Sequence, residues 1–316
     1  MGDISMSDSY LQSIKSSEKT TWVLDEVLPP TYNLDLTKQF IPMPIKAENK
    51  EHGNLSKQEL CLLSQLNASC YTYFIEIVER YIVDLVMGQF PLKQTEEKNR
   101  IRAMSRFLDE EVKHQQLFER FNQVLEKNLN QHLIVPNNGE IFARKVMAKS
   151  PLSIWLLTLH TEVMTHFHYT FLFKSGVDLE PKFIEILKAH WMEESQHVKI
   201  DLLEVNELVK SSSEAELHQA IKDYAELMQL VDEELTAANV AVVQNLKSIS
   251  GIQLSQQQEM NLMDNLIQSS RNLTIHAGLR HATFINAVKS FNLGLELKLP
   301  EISKMFEAPV RIFKAA

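Results

Sequence analysis

The chain has 316 residues, a formal net charge of −9, 44% hydrophobic residues, and only 8 Gly and 10 Pro. So few turn-forming residues exclude an all-β chain built from many hairpins, and neither the glycine-rich dinucleotide fingerprint nor a P-loop pattern is present. The acidic balance offers no broad footprint for nucleic acid or for anionic membrane, and no apolar run approaches the ~18 residues of a membrane span. Met1 to Thr21 lacks the apolar segment of a secretion signal, so a cytoplasmic location is expected. Cys61 and Cys70 lie nine residues apart in apolar surroundings and form no CxxC; they read as buried, reduced thiols.

Residues 1–53 hold Pro29, Pro30, Pro42 and Pro44 and few periodic apolar positions, which predicts an irregular arm wrapped on a body formed by residues 54–316. Ser56-Lys57-Gln58-Glu59 is a capping box that opens a first helix, stopped by Gly88 and Pro91. A second helix is predicted from about Thr95 to Asn128. An irregular connection with a short helix over Glu140–Lys149 follows. Ser150-Pro151 opens a third helix toward Gly176, and Pro181 a fourth to about Lys210. Ser213-Glu214-Ala215-Glu216 caps a fifth, ending at Gly251. A sixth is predicted from Ser255 to Asn292 with Gly294 as its stop, and an irregular tail from Pro300. Long helices without strands make the chain all-α. Two helix pairs joined by one long crossover have ferritin-like connectivity, with two long helices added outside the four-helix bundle.

The four central helices carry carboxylates and imidazoles in a repeated order. Glu76 lies on the first, Glu111-Val112-Lys113-His114 on the second, Glu162 on the third, and Glu194-Ser195-Gln196-His197 on the fourth. Glu76 precedes Glu111 by 35 residues and Glu162 precedes Glu194 by 32, each one helix–turn–helix. Residues i and i+3 lie about 60° apart around a helix, so each Glu-x-x-His pair projects from one face. A lone Glu from the neighbouring helix completes each half-site, and four carboxylates balance two divalent cations. This is the ligand pattern of ferritin-like dinuclear proteins. Oxygen and imidazole donors without thiolate suit iron, with manganese the second choice. His190 precedes Glu194 by four residues and shares its face, which adds a third imidazole. Glu79, three residues after Glu76, is the alternative ligand on the first helix.

The order Glu76, Glu111-x-x-His114, Glu162, His190-x3-Glu194-x2-His197 resembles that of the di-iron N-oxygenases typified by para-aminobenzoate N-oxygenase. The resemblance spans about residues 56–200. It implies a ferritin-like fold, two irons held by four Glu and three His, and O2-dependent oxygenation of an amine nitrogen to hydroxylamine, nitroso or nitro. It implies a small-molecule amine substrate, an arylamine or an amino acid, free or carrier-tethered. It also implies a role in biosynthesis and a homodimer. An external electron donor is expected, since the chain has no flavin or nicotinamide motif.

Related chemistries share the metal ligands. Radical-generating ribonucleotide reductase subunits usually carry Tyr four residues after the first motif histidine; here that residue is Phe118. A di-iron carbon hydroxylase or acyl desaturase remains an alternative, ranked lower because of His190. A ferroxidase or iron-storage protein is the other, though the extra helices exceed what a storage shell needs. His160, His166 and His168 crowd Glu162 and read as supporting or surface groups. Asp201 is a candidate to orient a ligand imidazole. Arg271, His276, Arg280 and His281 form a basic stripe that either meets a substrate carboxylate or packs against acids. Trp155 and Trp191 read as core.

Overall fold

A computed structural model describes residues 6–42, 55–88, 98–173 and 178–307. The predicted boundary signals at Pro44, Pro91, Thr95 and Gly176 lie outside these residues. Among the described residues the architecture is helical, and the one β-type contact is an isolated bridge between Gln39 and Leu179.

Four helices form the centre: α3 (Lys57–Gly88), α4 (Lys98–Leu129), α6 (Pro151–Phe167) and α7 (Pro181–Ser211). They follow α1 (Met6–Thr20) and α2 (Leu24–Val27) in the chain. α3 packs along α4, and α6 along α7. The crossover between the pairs contains α5 (Gly139–Met147), close to the short helix predicted there. Side chains of α8 (Glu214–Ser250) pin that crossover. Asn245 exchanges hydrogen bonds with both backbone groups of Ile134, at 2.8 Å each, and Glu234 accepts from the Asn138 amide.

Two helices fill opposite grooves of the centre. α8 packs on α3 and α6, while α1 packs on α4 and α7. The N-terminal segment is therefore not wholly irregular. α1 hides Tyr10, Ser13, Ile14 and Ser17, a stripe half polar and hard to distinguish from a solvated face.

The capping boxes at Ser56–Glu59 and Ser213–Glu216 form as the sequence predicts, and Gly251 ends α8 at φ 71°. The predicted sixth helix is broken. α9 (Gln256–Arg271) runs into a π-helical turn at residues 272–276, then α10 (Ala277–Arg280). Extended His281 separates this from α11 (Ala282–Lys289). The His281 ring caps α11 by accepting from the Thr283 amide, a cap outside the usual Ser, Thr, Asp and Asn set. The tail is not irregular at its start: α12 (Leu299–Lys304) buries Leu299 and Ile302. Cys61 and Cys70 are free and half-buried.

The register of the central helices sets up the site. On α4 the residues Met104, Phe107, Glu111, His114, Phe118, Phe121 and Leu125 are all buried and recur at alternating steps of three and four. This is the apolar stripe of a packed helix, with two polar residues in positions that otherwise hold aliphatic or aromatic groups. α7 repeats it through Phe183, Leu187, His190, Glu194, His197 and Asp201. Each neighbouring Leu or Phe contributes roughly 1.5–3 kcal/mol on burial, and that apolar packing offsets the cost of enclosing the polar groups.

Candidate metal centre

Mid-bundle, α3 and α6 each deliver one carboxylate, and α4 and α7 deliver the two Glu-x-x-His motifs. Two groups of four donors form, with ligand atoms within 4.8 Å of one another: Glu79, His114, His190, Glu194, and Glu111, His114, Glu194, His197. Glu194 and His114 belong to both. Glu162 adjoins the cluster beside Glu194; burial and the neighbouring Glu194 charge push its carboxyl well above the usual range. All of these side chains are buried.

On α3 a different carboxylate from the one first expected joins the cluster. The structure brings Glu79 into the cluster, 3.0 Å from His190 Nε2, and leaves Glu76 outside, paired with Arg80 on its own helix at 2.5 Å. The register explains the choice. Buried Gln65, Ala68, Thr72, Ile75, Glu79, Ile82 and Val86 form one three–four stripe, and Glu79 lies on it while Glu76 lies one position off. Glu76 instead borders an outer cleft with Tyr73, Arg80 and Arg144. The other predicted ligands, Glu111, His114, Glu162, His190, Glu194 and His197, come together.

The imidazoles are oriented by two carboxylates absent from the sequence reading. His114 turns Nε2 to Glu193 at 2.9 Å and Nδ1 toward Glu194 at 3.2 Å. His197 turns Nε2 to Glu110 at 3.0 Å and Nδ1 toward Glu111 at 2.8 Å. Each motif's preceding Glu therefore holds the other motif's His. An imidazole that donates Nε2–H to such a partner presents its Nδ1 lone pair to a metal. Asp201, considered for this role, does not fill it. It is fully buried, its oxygens make no hydrogen bond among the described residues, and burial pushes its carboxyl well above the usual range.

α1 and the residues after it close this side. Ser17 donates to Glu110 at 2.5 Å and accepts from Arg106. Lys113 donates to Glu193 at 2.6 Å, and its ammonium lies 4.2 Å from the Trp22 ring centre. The Trp22 ring in turn stacks on His114.

The electrostatics are those of a site built for cations. Burial pushes the carboxyls of Glu79 and Glu162 well above their usual range and that of Glu111 to about 7. Burial works against the charge on His190, but Glu194 and Glu79 bring it up to about 10. Burial likewise opposes the charge on Glu194, which His190 and His197 nevertheless hold well below the usual carboxylate range. Both oxygens of Glu111, one of Glu79, and Nδ1 of His114 are buried with no hydrogen-bond partner among the described residues. Orphaned donors of this kind, in one cluster, fit a metal pair. The mixture of carboxylate and imidazole suits iron or manganese.

The crowded histidines of α6 separate into two kinds. His160 bonds Tyr224 Oη at 2.6 Å and the Thr274 carbonyl at 3.0 Å, while His168 bonds Tyr71 Oη at 3.2 Å and the Leu273 carbonyl at 2.7 Å. Burial lowers both to about 4, so they are neutral struts between α6 and the π turn of residues 272–276. Gly278 lies so close to His160 that a Cβ there would fall 2.3 Å from Nε2. His166 makes no such bond among the described residues. Of the basic stripe, Arg271 is structural, forked onto Asp232 at 2.6 and 2.7 Å, and His276 bonds Ser303. Trp155 is core; Trp191 is only partly buried and stacks on Tyr169.

No family model and no curated protein matches the sequence. Among solved structures the chain is similar to variants of an R2-like ligand-binding oxidase. One, with an aerobically reconstituted Fe/Fe cofactor, is 15% identical at a TM-score of 0.41, over 89% of this chain and 92% of that one. Another, with a Mn/Fe cofactor, is 12% identical at a TM-score of 0.38, over 92% of each chain. No helix among the described residues is long and apolar enough to cross a membrane.

Proposed function

We propose that this protein is a non-haem di-iron oxygenase that uses O2 to oxygenate an amine nitrogen. The observation that carries the reading is His190. Its Nε2 reaches Glu79 at 3.0 Å and Glu194 at 2.6 Å, giving the cluster a third imidazole beside those of the two Glu-x-x-His motifs. That is the donor set of the N-oxygenases the sequence resembles. Glu79, Glu111, His114, Glu162, His190, Glu194 and His197 are the proposed ligands, with Glu79 in place of Glu76.

A ferrous pair held by these residues would supply electrons to O2 and Lewis acidity. The chain supplies everything else. Glu110 and Glu193 fix the tautomer and angle of His197 and His114. The carboxylates take up the cationic charge and release protons as metal enters. Phe107 and Phe118 lie against His197 and His190, with ring centres 4.3 and 4.9 Å apart, and keep water from that flank. Phe118 also occupies the position of the radical-bearing tyrosine, in keeping with substrate oxygenation rather than radical storage. An external reductant and a homodimer complete the proposal.

The deciding experiment is anaerobic loading with ferrous iron, then O2 with a panel of aryl and aliphatic amines, reading iron per chain and product mass. Two irons and an amine that gains oxygen are the expected result. Two irons with O2 consumed and every amine unchanged would shift the reading to carbon oxidation or ferroxidase chemistry. Less than one iron per chain would end the di-iron reading.

A further inference from the structure

The proposed ligands are at most 3% exposed. A cavity of about 700 Å3 lies between the end of α6 and the π turn, with His166 and Arg280 in its lining, but neither it nor the outer cleft beside Glu76 is lined by a ligand side chain. Metal reaches ligands this deeply enclosed only when part of the fold moves. The two helices that fill the grooves of the bundle differ in how readily they can do so. α8 seals its groove with apolar packing that includes Leu227, Met228, Val231 and Leu235, and its departure would expose all of that surface. α1 is less than half as long, and its buried stripe is Tyr10, Ser13, Ile14 and Ser17, with one aliphatic side chain. The rest of its hold is polar. Tyr10 donates to Glu204 at 2.6 Å, Ser17 to Glu110 at 2.5 Å, Asn99 to Ser7 Oγ at 3.1 Å and Gln196 to Thr20 Oγ1 at 3.3 Å. Water replaces partners of this kind when a helix lifts, so α1 is the easier of the two to open.

What α1 covers suits a cation. Glu110 on α4 and Glu193, Asp201 and Glu204 on α7 are all buried acids. Glu204 meets Tyr10 directly; Asp201 and then His197 precede it on α7 at steps of three and four, on the same face. Both Asp201 oxygens are buried with no hydrogen-bond partner among the described residues. A row of carboxylates thus leads from the underside of α1 to a ligand imidazole. α1 and the residue Trp22 beyond it also touch the groups that hold the ligands. Ser17 donates to Glu110, which holds His197, and the Trp22 ring stacks on His114. Metal that fixes these imidazoles fixes the partners of Ser17 and Trp22, and a docked α1 steadies the imidazoles in turn. Coupling of this kind is reciprocal.

We propose that α1 is a strap, hinged at residues 21–23, which lifts to admit divalent metal along the Glu204–Asp201–His197 face and is locked down once the metal pair is bound. Residues 21–23 lie outside any helix and join α1 to α2. The proposal rests on the metal centre and on no part of the N-oxygenation reading.

Hydrogen exchange and iron uptake on the full chain test it without turnover. After anaerobic loading with ferrous iron, the α1 amides should exchange at least about tenfold more slowly, and those of α8, in the opposite groove, should change less. The double variant Ser7→Cys/Asn99→Cys joins α1 to α4 when its thiols are oxidised. So locked, it should take up iron at least about tenfold more slowly, and reduction should restore the rate. Ile14→Ala alters no polar contact of the site and should do the opposite, speeding both iron uptake and iron loss to a chelator by about tenfold. A locked variant that loads as fast as wild type, α1 and α8 amides that slow equally, or unchanged rates in Ile14→Ala would each overturn the proposal. If the disulfide does not form, exchange and Ile14→Ala decide. A chain that loads iron and oxygenates no amine leaves the strap standing and removes only the N-oxygenation reading; a chain that takes up no iron removes the metal centre and the strap together.

Discussion

The two sides of the metal cluster are built on opposite rules. On the α1 side the groups that hold the motif histidines form one connected chain: Ser17 with Glu110, Glu110 with His197, Lys113 with Glu193, Glu193 with His114. On the α9 side His160 and His168 are satisfied, but His166 and Arg280 face a cavity without partners among the described residues. The first side fixes geometry; the second leaves an imidazole and a guanidinium without a hydrogen-bond partner among the described residues. A buried site that must hold metal firmly and still admit a reactant needs both, because rigid ligands and an open approach cannot share one face.

The sharpest test of the closed side is its ligand set. Glu194→Ala removes a donor from both ligand groups and should reduce iron below one per chain by metal analysis. Glu79→Ala should lose one of two irons, while Glu76→Ala keeps both; the reverse outcome would restore Glu76 as the ligand. Next come the orienting carboxylates. Glu110→Ala or Glu193→Ala should weaken iron binding about 10–100-fold in a competition titration with a chelator. Ser17→Ala should do the same to a smaller degree, since it frees Glu110 without removing it.

Protonation gives a test of intermediate size. Without metal, His190 is raised to about 10 and Glu111 to about 7, so at neutral pH the cluster carries protons that metal must displace. Iron uptake should therefore release protons, detected by indicator dye, and affinity should fall as pH drops through 7, where Glu111 gains its proton. Affinity independent of pH between 6 and 8 would contradict this. The smallest expected effect belongs to the open side. Gly278→Ala forces the His160 ring away from Thr274 and should cost about 1–3 kcal/mol, read as a lowered Tm with the iron content intact.

How far the sequence disclosed these two sides follows from the physics of each signal. The Glu-x-x-His motifs were legible because i and i+3 are neighbours on one helix. On α3 the sequence favours Glu76 over Glu79, and the structure brings Glu79 into the cluster; local context does not separate them because both sit amid apolar residues. Only the full three–four stripe through Ile75 and Ile82 separates them. Glu110 and Glu193 escaped notice because each acts on a histidine of another helix, a contact no local spacing encodes. The break at His281 also left no mark, since the capping group is an imidazole and the sequence there contains no proline. On α1 half of the buried stripe is serine, so amphipathicity could not reveal it.

The reciprocal contacts of α4 and α7 relate the two motifs as if by a two-fold axis: Glu110 and Glu193 exchange, as do Glu111 and Glu194, His114 and His197. One position breaks the equivalence. Four residues before Glu194 stands His190; four residues before Glu111 stands Phe107. Two irons bound here would therefore occupy unequal fields, one side richer in nitrogen. Mössbauer spectra of the diferrous protein should resolve into two quadrupole doublets rather than one, and His190→Phe should draw them together.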